Sequence, residues 1–248
     1  MSEHWYDAQT GQSRYTTIGK NGKQRSTTLR DAKANPGTLV PSVTTIIGQL
    51  SKPGLDTWKQ GQALLAAADN PRGLQESEKE YVDRILYLAK AKSREAADRG
   101  SLIHDFLESF YSQEYLPDTP AYVRLVDDAI TAYFGAQLWI AEQSLVNQKG
   151  YGGKCDLYCK SKHDFSGIVI DFKTTEKTPG DIKPYGEHIM QLAAYREVLA
   201  PTARCANVYI NGTTGDVAIC EHSEQDIKNG YKMFLHLLSV YKLKTGLN

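Results

Sequence analysis

Apolar positions recur at helical spacing through most of the first half of the chain, then give way near Ser144 to short runs and alternation. The helical half is punctuated by proline and glycine. Residues 55–68 predict a helix through Trp58 and Leu64-Leu65. From Gln75 onward Tyr81, Ile85 and Leu88 fall at i, i+4 and i+7 on one face. Residues 93–111 predict a second helix with Leu102, Phe106, Leu107 and Phe110 as its buried stripe, ended by Pro117 and Pro120. A third is expected over 121–141. Ahead of these, residues 13–29 read as a hairpin, because Asn21-Gly22 suits left-handed turn positions between β-prone residues. Residues 29–35 predict one or two helical turns closed by Pro36-Gly37, and 39–47 run into a helix with Ser42 as its N-cap.

Beyond Ser144 the pattern predicts strands at 145–146, 154–159 and 167–172, with turns at 150–153 and 164–167. Ile168-Val169-Ile170 is apolar on consecutive positions, which marks a central strand buried on both faces. A helix over 187–199, strands at 204–210 and 216–220, and a last helix after Ser223 follow. That helix shows Ile227, Tyr231, Phe234, Leu238 and Tyr241 on one face. The expected fold is α/β or α+β: a small mixed sheet flanked by helices, in one domain over 1–248, with hairpin and helices up to 141 and the sheet from 142.

Composition is that of a globular protein, 41% hydrophobic and 23% charged. No apolar run approaches the roughly 20 residues that span a bilayer, and the N-terminus shows no signal pattern, so a cytoplasmic protein is expected. Cys155 and Cys159 are spaced unlike a common zinc pair, and with Cys205 and Cys220 they read as reduced thiols. Net charge is +0. Locally, Arg14, Lys20, Lys23, Arg25, Arg30 and Lys33 face only Asp31. That stretch is either a solvated loop face or an edge that contacts phosphate.

Chemistry concentrates between Gly152 and Tyr195. Asp171 ends the apolar strand, where a charge is costly unless paired or metal-bound. Lys173, two residues on, points to the same side. Asp156 lies on the preceding strand, and a hairpin looping around His163-Asp164 would set the two aspartates side by side. Two carboxylates at one spot repel and invite a divalent cation, Mg²⁺ or Mn²⁺ given oxygen ligands. The lysine could orient a water or stabilise charge on a phosphate. Glu142 is a further acidic candidate.

These residues resemble the RecB-type branch of the PD-(D/E)XK nuclease superfamily. Gly153-Lys154-Cys155-Asp156 matches its Gly-x-x-Asp, Asp171-Phe172-Lys173-Thr174 its Asp-x-Lys-Thr, and Gln191 with Tyr195 its Gln-x-x-x-Tyr helix. Gly100 and His104, in Arg99-Gly100-Ser101-Leu102-Ile103-His104, match an upstream Gly-x-x-x-His. Pro41-Ser42-Val43-Thr44 and Lys173-Thr174-Thr175-Glu176-Lys177 look closest to exonucleases of the mitochondrial genome maintenance type and their phage relatives.

The resemblance implies a restriction-endonuclease-like core with the early helices arching over the site. It implies metal binding by Asp156, Asp171, the Phe172 carbonyl and His104, with Asp156, Asp171 and Lys173 catalytic. DNA contacts would come from Ser42, Thr44, Arg99, Thr174, Lys177, Gln191 and Tyr195. The implied activity is a metal-dependent exonuclease on single-stranded DNA with free ends, serving replication, recombination or repair in a bacterial or phage-infected cell. A flap endonuclease, or a silent DNA-end-binding module, are the alternatives. The chain departs from the pattern at Cys155, where proline is usual. It also lacks the cysteine before the histidine that cluster-bearing relatives carry, so no iron–sulfur cluster is expected.

Overall fold

The computed structural model describes residues 4–113, 118–160 and 167–247. The chain opens with strand β1 (Trp5–Asp7), a ribbon of β2 (Thr16–Ile18) and β3 (Gln24–Ser26), and helix α1 (Leu29–Ala34). Gly22, at φ 73, makes the ribbon's turn. Strand β4 (Leu39–Pro41) returns to pair antiparallel with β1, which the sequence pattern did not reveal; Trp5 is fully buried there. Helix α2 (Val43–Ile47) follows at once. Its N-cap is Ser42, whose Oγ accepts from the Thr45 N–H at 2.9 Å.

Residue contacts then divide the chain into two units, Leu50–Ile103 and the remainder (Met1–Gln49 with His104–Asn248). The smaller unit holds α3 (Pro53–Asp69), α4 (Glu78–Ala89) and the start of α5 (Ala91–Tyr111). Pro53 stands in the first turn of α3, where its missing N–H costs nothing. Ser77 and Glu80 form a capping box on α4. Core is sparse in this unit: among the described residues only Ile85 and Ile103 are buried apolar side chains. Leu64, Leu65, Leu74 and Tyr87 are exposed, and so is Leu88 on the face it shares with the buried Ile85.

The buried stripe of α5 runs through Ile103 and Leu107, with Phe106 and Phe110 half-buried. Leu102, expected in that stripe, is 53% exposed. Ile103 and Leu107 are four residues apart, and that step sets the helix phase one position later than the sequence suggested. Pro117 lies outside the described residues. Helix α6 (Ala121–Phe134) stops seven residues short of the expected end. Gly135 takes φ 76 and turns the chain out, and the apolar residues at 138–141 lead into strand β5 (Ile140–Asn147) instead.

Strands β6 (Tyr151–Lys160) and β7 (Gly167–Thr175), helix α7 (Gly186–Leu199), strands β8 (Arg204–Asn211) and β9 (Val217–His222), and helix α8 (Glu224–Thr245) complete the chain. The sheet runs β5-β6-β7-β8-β9, antiparallel except for β7 and β8, which are parallel and joined through α7. Ile168, Val169 and Ile170 are buried in its centre, as a strand with neighbours on both sides requires. Helix α7 packs on the sheet and α8 packs along α7. The mixed sheet with flanking helices is therefore present.

One turn expectation changes. The tight turn is centred on Gly150, at φ 90, while Gly152 and Gly153 belong to β6. They are glycines because other side chains occupy the space of a Cβ: one on Gly152 would lie 2.7 Å from Tyr6 Cβ, and one on Gly153 2.5 Å from Tyr195 Cε1. The loop holding His163-Asp164 lies outside the described residues. Among those described, no helix is long and apolar enough to cross a membrane.

Candidate active site

The β6–β7 register pairs Leu157 with Ile170; one more step along the ladder sets Asp156 across from Asp171. The Phe172 N–H donates to Asp156 Oδ2 at 2.7 Å, tying one aspartate's strand to the other aspartate's side chain. Asp171 is only 1% exposed, so its charge must be met inside the protein. Its Oδ2 lies 2.6 Å from Lys173 Nζ and accepts from Asn207 Nδ2 at 2.9 Å; its Oδ1 accepts from Gln191 Nε2 at 2.7 Å. Lys173 Nζ also donates to Gln191 Oε1 at 3.1 Å. Carboxylate, ammonium and amide thus close a ring. The i, i+4 spacing on α7 brings Tyr195 to the same group, its hydroxyl 3.1 Å from Gln191 Nε2 and its ring against Gly153. The Gly-x-x-Asp and Gln-x-x-x-Tyr motifs therefore touch through Gly153 and Tyr195.

Helix α5 supplies His104, whose Nδ1 lies 3.7 Å from Asp156 Oδ2 and whose ring meets Phe172 edge-on. Burial, and then the charge of Asp171, push the Asp156 carboxyl up to about 6. For Lys173, burial works to lower the pKa, but the charges of Asp171 and Asp156 outweigh it and the net shift is upward. The buried Tyr195 phenol is pushed well above its ordinary value, by burial first and by both aspartates after it.

Two participants were invisible in the sequence. Asn207 is fully buried and stands opposite Asp171 in the parallel β7–β8 register. Its Oδ1 lies 2.8 Å from His222 Nε2. Because Nδ2 must face the carboxylate, Oδ1 faces His222, and Nε2 of that ring carries the proton. The available signal was a polar residue inside the apolar run 205–210. The second is Tyr6, packed on Gly152. Burial, a 2.8 Å bond to the Tyr15 hydroxyl and the charge of Asp156 all raise its pKa.

The remaining candidates have other surroundings. Ser42 is buried with its hydroxyl engaged by Thr45 and Thr44, and a parallel bridge joins it to Gly152. Thr44 is exposed. The Thr174 hydroxyl is buried without a hydrogen-bond partner among the described residues. Lys177 reaches the Tyr185 hydroxyl at 3.3 Å and its ring face. Arg99 belongs to the smaller unit and pairs with Glu95 at 3.0 Å. Glu142, at a left-handed φ of 52, is ion-paired with Lys154.

Among the described residues no group of three or more His, Cys, Asp or Glu side chains is placed to hold a metal ion. The two carboxylates nevertheless offer oxygen donors of the kind a small hard cation takes. A carboxylate offers about four lone-pair directions. Asp171 uses three, leaving one on Oδ1, and Asp156 Oδ1 makes no hydrogen bond among the described residues. With one imidazole beside them, these oxygens suit Mg²⁺ or Mn²⁺.

No family profile matches the chain, and no curated protein matches it. Among solved structures, SSO0001 is similar over 72% of this chain and 85% of its own, at 16% identity and a TM-score of 0.33. A "putative exonuclease" from Eubacterium rectale is similar over 60% of this chain and 69% of its own, at 12% identity and a TM-score of 0.43.

Proposed function

We propose that this chain is a metal-dependent DNA nuclease of the PD-(D/E)XK type. The observation that carries the reading is the ring of Asp171, Lys173 and Gln191, joined to Asp156 through the Phe172 N–H. Asp156 and Asp171 would hold Mg²⁺ or Mn²⁺, with the Phe172 carbonyl and His104 as the further candidates. Such an ion would lower the pKa of a bound water and offset phosphate charge. Lys173 is held as an ammonium between a carboxylate and an amide oxygen, so it donates hydrogen bonds toward a phosphate oxygen or an attacking water. Gln191 fixes both Lys173 and Asp171, and Asn207 holds Asp171 from the other side. In the reaction a water oxygen bonds to phosphorus and the P–O3′ bond breaks. The products are a 5′-phosphate and a 3′-hydroxyl that has taken up a proton.

The proposed substrate is single-stranded DNA with a free end, and the setting replication, recombination or repair within a bacterial or phage-infected cell. Purified protein with Mg²⁺ or Mn²⁺ should shorten end-labelled linear single strands, and Asp171→Ala should not. Intact linear strands with either metal would refute the assignment and leave a DNA-end-binding module. Cleavage of circular single strands would move it to the flap endonucleases.

A further inference from the structure

The ribbon of β2 and β3 has a charge pattern unlike the rest of the chain. Residues 8–30 contain Arg14, Lys20, Lys23, Arg25 and Arg30 and no acidic residue, in a protein with 29 Lys and Arg against 29 Asp and Glu. Neither face of the ribbon is covered: Thr16, Ile18, Gln24, Arg25 and Ser26 are all exposed, Ile18 at 66%. A bare two-stranded ribbon is marginal in water, so packing does not explain its presence. Arg25 is committed to Asp31 through two bonds of 2.7 and 2.6 Å, and Arg14 pairs with Asp7 at 3.3 Å. Lys20, Lys23 and Arg30 are exposed and make no ion pair among the described residues.

The base of the ribbon is fastened to the strand that carries Asp156. Tyr15 leads into β2, and its hydroxyl lies 2.8 Å from that of Tyr6. Tyr6 packs on Gly152, on the strand that carries Asp156. The His4 ring lies on Tyr15 with centroids 4.6 Å apart, and both residues are exposed. Cations that follow a phosphate backbone, next to an aromatic surface on which bases stack, are what a single strand needs.

We infer that the β2–β3 ribbon is a binding arm for single-stranded DNA: Lys20, Lys23 and Arg30 contact its phosphates, and the His4–Tyr15 pair stacks a base near the Asp156–Asp171 site. The destination of the strand rests on the nuclease reading; the binding itself does not.

The test is fluorescence anisotropy of a labelled oligothymidylate with the full chain and no divalent metal, across a salt series. A Lys20→Glu/Lys23→Glu/Arg30→Glu variant should bind at least about tenfold more weakly at about 50 mM salt, with a log–log salt slope shallower by about 2. A charge-matched control, Lys228→Glu/Lys232→Glu/Lys244→Glu, should bind as the parent does, and all three proteins should melt alike. Failure of the parent to bind, equal loss in the control, or an unchanged slope in the ribbon variant overturns the arm. So does tighter binding to anionic vesicles than to the oligonucleotide. Binding lost in the variant by a parent that never cleaves would sink the nuclease reading alone. Cleavage by a parent whose ribbon variant binds normally would sink the arm alone.

Discussion

Gln191 uses one amide to reach three groups: Nε2 serves Asp171 and Tyr195, and Oε1 serves Lys173. Truncation to alanine removes all three contacts and frees both charged partners to drift. Gln191→Ala should therefore cut the rate by about 10²-fold, comparable to removing one preorganised donor, with a smaller effect on DNA binding. A stopped rate assay beside an anisotropy titration separates the two. Asn207→Leu has a different signature. It leaves a fully buried carboxylate short of one donor, at a cost of about 1–3 kcal/mol in urea unfolding.

Asp156 predicts a pH dependence. Its folded pKa of about 6 lies above the roughly 3.9 of an unfolded aspartate. The folded chain therefore holds this proton more tightly, and the stability it contributes is greatest at low pH and is lost as pH rises through about 6. In metal-free protein the melting temperature of Asp156→Asn, minus that of the parent, should grow from about pH 4 to about pH 7. Saturating Mg²⁺ or Mn²⁺ should shrink that growth. The two aspartates and Lys173 could be brought together from strand spacing, and Gln191 with Tyr195 from the family resemblance, their i, i+4 spacing then setting both on one helix face. Asn207 and Tyr6 could not, because their neighbours are set by sheet register and by the return of the N-terminal strand.

At the scale of elements, the contact between β6 and α7 is set by Gly153. A methyl there would meet Tyr195 Cε1 at 2.5 Å, and the ring sits in a fully packed helix face. Gly153→Ala should destabilise the protein by about 1–3 kcal/mol, as overpacking does. In a Tyr195→Leu background the same change should cost much less, and a double-mutant cycle by urea unfolding reads the difference. The central strand β7 and helix α8 were legible because Ile168-Val169-Ile170 is apolar on consecutive positions and α8 keeps one apolar face, whereas β5, expected only at 145–146, starts at Ile140. The end of α6 was not, because Leu138, Trp139 and Ile140 suit a helix face and a strand alike, and Gly135 decides between them by its backbone alone.

Over the whole molecule, the two units differ in how much apolar surface they bury. Ile85 and Ile103 are the buried apolar residues described in Leu50–Ile103, whereas the other unit holds the sheet core. Few buried contacts mean a low opening free energy. Amides of α3 and α4 should therefore exchange with deuterium well before those of β7 and β8, and limited proteolysis should cut first within 50–103. Equal protection in both units would contradict this. Helical periodicity announced these helices but not their exposure, since a pattern of spacing carries no information about what lies opposite.

The parallel pairing of β7 with β8 also has a bearing on time. Asp171 and Asn207 are separated by 36 residues, and β8 can join only after α7 has been made and laid across the sheet. His104, Asp156, Gln191 and Asn207 come from four separate stretches, so no local fragment assembles the centre. On the ribosome, the acidic pair would stay unclamped until Gln191 and Asn207 have emerged, because domains fold as units during synthesis. A chain able to cut DNA would then acquire that ability only once β8 has been made.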